Sequence, residues 1–159
     1  VTTHIIGTVL GVGGATFAEI FYIKAMRDNV IDPTETSFLK LTYAIMRTGL
    51  ALAVLSGFGF LLFYRLEGYA ELLYQGPLLA KMTIVVILVI NALLLHMHKI
   101  PMRWGASISM VSWYAALIIG SWRDIPFSYA AIIIFYGIVV IIMMPVLQGI
   151  KRFFTGKVS

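Results

Sequence analysis

Six side chains interrupt the long apolar runs of this sequence and are the places where chemistry is possible: His4, Glu19, Arg47, Lys81, Asn91 and His96. A polar group inside an apolar helix is costly to keep, so each asks for a function or a partner. An imidazole ligates metals, an amine pairs with anions or ligates once deprotonated, a carboxylate carries protons or pairs with a cation, and an amide bridges helices. Spacing sorts them by depth. His4 and Lys81 stand near one end of their helices, and fifteen residues further along come Glu19 and His96. That is about 22 Å along each axis. An outer layer of His4 and Lys81 is therefore expected, with an inner layer of Glu19, His96 and, at the same level, Arg47.

Beneath His4, positions 4, 7, 11, 14 and 18 fall within about 80° of one another on a helical wheel. They are His4, Gly7, Gly11, Gly14 and Ala18. Two uses of this bare face stand open. Gly7-xxx-Gly11 is a small-xxx-small motif that lets a second helix approach closely. Equally, a flat tetrapyrrole such as haem needs side chains removed from the helix it lies on, with His4 as axial ligand. Lys81 has three readings: snorkelling to headgroups, pairing with a propionate or other anion, or direct ligation. Asn91 sits near one edge of the Lys81 face, as a cofactor contact or a bridge between helices. Glu19 reads as a salt-bridge partner of Arg47 or Lys24, or as a proton relay. His96 pairs with Glu19, serves a second cofactor, or is interfacial, and His98 points about 200° away from it.

The rest of the chain must place these groups. Of 159 residues, 60% are hydrophobic and 12% are charged, with a mean hydropathy of +0.95. Such a composition excludes a water-soluble fold. With no cysteine, disulfides, thiolate metal sites and covalent haem attachment are excluded as well. Walker-type loops, nucleophile–base pairs and zinc motifs do not occur. The apolar segments predict an all-α integral membrane bundle forming a single domain over 1–159. Its five transmembrane helices cover about 4–26, 38–66, 77–99, 105–122 and 127–150. The first segment lacks the pattern of a cleaved signal and is expected to remain in the mature protein.

Asp32-Pro33-Thr34-Glu35 reads as a helix start, Arg65 to Gln75 as an interfacial connector, and Trp104, Trp113, Trp122 and Tyr129 as interface markers. Lys24, Arg27, Lys40, Arg47, Lys99, Arg103, Lys151, Arg152 and Lys157 fall on one side, against Arg65, Lys81 and Arg123 on the other. Nine against three predicts an external amino terminus and a cytoplasmic carboxyl terminus. The net charge of +5 thus belongs to helix ends facing lipid headgroups, and no nucleic-acid partner is expected.

The residues His4-Ile5-Ile6-Gly7, Tyr43-Ala44-Ile45-Met46, Ala80-Lys81-Met82 and Trp122-Arg123-Asp124-Ile125-Pro126 open or close successive helices. In these the chain resembles the superfamily of HemJ-type protoporphyrinogen oxidases and copper-resistance D proteins, small bacterial membrane proteins. The resemblance implies an inner-membrane location, haem b, and functional roles for a first-helix His and a third-helix Lys, here His4 as iron ligand and Lys81 as the catalytic position. The leading expectation is a b-type haem protein for redox or electron transfer, held by His4, Gly7, Gly11, Gly14, Lys81 and Asn91. Protoporphyrinogen IX oxidation, with a quinone or protein redox partner, is the second. A copper or small-solute transporter using Met residues and the Glu19, Arg47 and His96 layer is the third. An accessory subunit of a membrane complex, or a homo-oligomer in the bilayer, is the fourth.

Overall fold

The computed structural model describes residues 1–25, 32–122 and 124–155. Arg27, Asp28, Arg123 and Lys157, which entered the charge and turn assignments above, lie outside the described residues. Five long helices follow in order: α1 (Thr2–Ala25), α2 (Pro33–Leu66), α3 (Gly76–His96), α4 (Met102–Ser121) and α5 (Tyr129–Thr155), with a 3-10 turn at Ala70–Tyr74 between α2 and α3. All five are long and apolar enough to cross a bilayer.

Local chemistry sets the helix ends. Asp32 and Glu35 form a reciprocal capping box: Asp32 Oδ1 accepts from the Glu35 amide at 2.7 Å and Glu35 Oε2 from the Asp32 amide at 3.1 Å. Pro33 occupies the first turn, where its missing N–H costs nothing. The second helix thus begins at the Asp32–Glu35 start read from the sequence, five residues before the membrane span expected from 38. At the end of α3, His98 takes a left-handed φ of 55° while the Lys99 amide returns to the Leu94 carbonyl at 2.9 Å. That closes the helix as a Schellman turn, so His98 has a backbone role. The last helix runs through Pro145 to Thr155, beyond the expected 150.

Close packing starts at α1 and α2. A methyl on Gly7 would come within 2.6 Å of the Ala53 nitrogen and 2.9 Å of the Gly49 oxygen, and one on Gly49 within 2.8 Å of both the Gly11 nitrogen and the Gly7 oxygen. The two backbones therefore touch, which only glycine permits. Gly14 meets Met46 one turn further in. On the other flank of α1, the Trp113 indole of α4 lies on Gly11, so Trp113 is buried in the core and does not mark an interface as expected. Ala15, Leu88 and Trp113 form one cluster, with Met46, Leu50 and Ala53 of α2 against it. Ile84, Val111, Tyr136 and Val140 form a second one among α3, α4 and α5.

Side-chain hydrogen bonds then tie the helices in pairs. Ser112 Oγ and Tyr136 OH are 2.8 Å apart (α4–α5), Thr16 Oγ1 and Tyr114 OH 2.9 Å (α1–α4), and Thr83 Oγ1 and Tyr129 OH 3.3 Å (α3–α5). Such bonds matter where lipid offers no competing partner.

The glycine seam gives a direct test. Gly7→Ala is expected to destabilise the purified protein by about 1–3 kcal/mol, as overpacking does. Gly13→Ala, at a position with nothing within 4 Å, should leave the thermal midpoint in detergent unchanged or slightly raised, since alanine is the better helix former.

Candidate functional site

Glycines that the sequence offers as a porphyrin cradle are spent on protein contacts. Gly7 and Gly14 face the α2 backbone and Met46, and Gly11 faces Trp113. There is no bare face for a macrocycle on this side of α1, and the assignment of Gly7, Gly11 and Gly14 as cofactor contacts is corrected accordingly. Their role is the other one, close helix approach.

His4 remains. Its Nδ1 lies 3.1 Å from the Ala53 carbonyl oxygen and 3.0 Å from Ser56 Oγ. A carbonyl only accepts, so Nδ1 carries the proton. The Ser56 hydroxyl already donates to the Leu52 carbonyl at 2.5 Å, which leaves it an acceptor for the same N–H. The opposite nitrogen, Nε2, keeps its lone pair and has no hydrogen-bond partner among the described residues. An imidazole held by Nδ1–H on a backbone carbonyl is the arrangement that orients a histidine for metal ligation. Phe60 meets the ring edge-on at 5.6 Å, and Gly57 lies beside it, its Cβ position 3.5 Å from Cε1.

Lys81 shares this end of the molecule. A methyl on Gly120 of α4 would stand 2.8 Å from Lys81 Nζ, so the ammonium lies in the space that the missing side chain leaves. Gly120 is on the side of α4 that also carries Trp113 and Ser109, toward α1 and α2. Lys81 is half-buried and pairs with no carboxylate among the described residues. At that end α1 and α2 hold His4, and α3 and α4 hold Lys81, with Ser56, Gly57 and Gly120 as neighbours that sequence reasoning missed. Isolated glycines inside helices cost about 1 kcal/mol relative to alanine, and that unexplained cost was the available signal for Gly57 and Gly120.

Asn91 does not belong to this layer. It is buried, and its Nδ2 donates to the Gly105 carbonyl at 3.0 Å, bridging α3 to the start of α4 about 15 Å from the level of Lys81. As a cofactor contact it is corrected to a helix bridge.

The inner layer does not gather either. Glu19 pairs with Lys151 of α5 at 2.7 Å, not with Arg47 or Lys24, and the Lys151 ammonium also lies 4.5 Å above the Tyr22 ring. Arg47 is exposed, its Nε donating to the Tyr43 carbonyl of its own helix at 3.3 Å. His96 is exposed at the end of α3. No group of three His, Asp or Glu side chains close enough to hold a metal ion occurs among the described residues. Beside Glu19 a cavity of about 500 Å³ opens between α1 and α5, lined mostly by apolar side chains including Ile20, Leu147 and Phe154. A continuous polar path through Glu19, Arg47 and His96 is therefore not formed.

Comparison with family models, curated proteins and solved structures finds no match to this chain. Its class rests on architecture: among the described residues, an all-helical protein with five helices long and apolar enough to cross a membrane, with His4 and Lys81 half-buried at one end.

The Glu19–Lys151 pair is largely shielded from solvent, its side chains 12% and 18% exposed. Removing one partner strands the other, so Lys151→Met alone is expected to cost about 3 kcal/mol. Adding Glu19→Leu should recover part of the loss. Thermal denaturation of the two single variants and the double variant measures this coupling.

Proposed function

We propose that this chain is a membrane-embedded haem b protein for electron transfer, with the iron on Nε2 of His4 and Lys81 as the cationic partner of a propionate. One observation carries the reading: the His4 ring is anchored through Nδ1 on α2, with its Nε2 lone pair left over at the end of the bundle that also holds Lys81, which pairs with no carboxylate among the described residues. The donor set fits such a group, and the glycine face of α1 does not. A macrocycle held by His4 would lie away from the glycine face, toward Lys81. A bound haem would supply a one-electron redox centre. Ala53 and Ser56 keep His4 in the ligating tautomer, Phe60 limits rotation of the ring, and the Lys81 ammonium supplies positive charge that favours the reduced state.

Orientation follows from the charges. Lys24, Lys40, Lys99, Arg103, Lys151 and Arg152 gather at the end of the bundle opposite to His4, against Arg65 and Lys81 at the His4 end. The positive-inside rule then puts His4 and Lys81 at the external face and the carboxyl terminus in the cytoplasm of a bacterial inner membrane. Oxidation of protoporphyrinogen IX would use the same site, with Lys81 as the functional amine.

Protein purified from haem-replete cells should show a Soret band that is lost in His4→Ala. Lys81→Leu should retain the band and lower the reduction potential. A colourless wild-type protein would sink the proposal.

A further inference from the structure

The gap bridged by Glu19 and Lys151 serves neither the close packing of the fold nor the site at His4. α5 packs mainly on α4 and α3 and meets α1 only sparsely, so the cavity of about 500 Å³ stays open between α1 and α5. Ile20 and Ile23 of α1, Met110 of α4, and Leu147, Ile150 and Phe154 of α5 form most of its wall. It runs from Thr16 to Lys24 along α1 and from Leu147 to Phe154 along α5, a depth of about 10–12 Å. Lys24 and Phe154 stand where both helices end, and Thr16 and Leu147 stand further in. Leu147 is buried while Ile20, Ile150 and Phe154 are exposed, so the cavity opens sideways onto the surface of the bundle.

Charge is distributed unevenly along this wall. Glu19 is neutralised by Lys151, 2.7 Å away. Lys24 is exposed and pairs with no carboxylate among the described residues. The wall is therefore apolar over most of its depth, with one net positive group at the end where the helices stop. That distribution complements an amphiphile whose chain points inward and whose head is an anion. The ion pair also limits what fits. Glu19 and Lys151 join α1 to α5 across the gap, so the two helices are only two side chains apart there. A third helix, about 10 Å wide, does not enter such a gap, whereas a single hydrocarbon chain does.

We infer that the α1–α5 cavity is a binding site for an anionic phospholipid, with one acyl chain against Ile20, Leu147 and Phe154 and the phosphate at Lys24. Basic pockets between membrane helices hold anionic headgroups in this way. Lys24 shares its end of the bundle with Lys40, Lys99 and Arg103, and this gathered positive charge favours an anionic head over a zwitterionic one. The bound chain supplies the packing between α1 and α5 that the protein itself leaves sparse. The inference rests on the helices crossing a membrane and is independent of what His4 binds.

Native mass spectrometry of the full chain tests it, with the protein released from micelles that hold equal amounts of phosphatidylglycerol and phosphatidylcholine bearing the same acyl chains. Each chain should retain one phosphatidylglycerol in preference to phosphatidylcholine. Lys24→Gln should lower that retention about fivefold, the effect of one basic group beside an anionic headgroup, and Lys24→Arg should keep it. Ile20→Trp fills the cavity from an exposed position and should abolish retention with the thermal midpoint unchanged. Ile23→Trp, from the same wall, is the second filling variant and should do the same. Equal retention of the two lipids by the unaltered chain, or retention indifferent to Lys24→Gln or to both filling variants, would overturn the inference. So would a dimer, dispersed by Ile20→Trp, in place of a lipid adduct. None of these readouts depends on haem, so the two proposals fail separately.

Discussion

Backbone meets backbone where α1 crosses α2, and the position of every other group follows from that contact. Gly7 and Gly49 lack the one carbon that would hold the helices apart, and the approach brings the Ala53 carbonyl within reach of the His4 ring. The same approach sets the register: Gly14 falls opposite Met46, and Phe21 stacks on Phe38 at 6.0 Å. Nothing about His4 as an isolated residue makes it an anchored imidazole. The seam beneath it does.

Around that seam, α4 acts as the hub. Its Trp113 fills the flank of Gly11, Ser109 reaches Met46 of α2, Gly105 receives Asn91 of α3, and Ser112 bonds Tyr136 of α5. Apolar burial offers little drive to association between helices in lipid, so close fit and interhelical hydrogen bonds take its place. This explains why the most polar helix is also the most central one. Two of its serines, Ser109 and Ser112, which look out of place in a spanning segment, reach side chains of α2 and α5.

Charge is handled differently at the three depths. At the end near His4, Lys81 occupies space left by Gly120 and remains available to an anion. Toward the opposite end, Glu19 and Lys151 neutralise each other, with Tyr22 beneath the ammonium. Midway, Arg47 faces outward with only its own helix for company. Among the described residues, Lys81 and Arg47 have no carboxylate partner.

Helix number and the start of α2 were legible in the sequence because each depends on local quantities: hydropathy over a span and a capping box at Asp32. Which face of each helix is covered was not legible. Periodicity placed Gly7, Gly11 and Gly14 on one face, but left open whether a helix or a macrocycle lies there. The same holds for Glu19, whose partner Lys151 comes from the far end of the chain. Lateral neighbours and relative register arise from contacts between segments distant in sequence, so only the tertiary structure decides them.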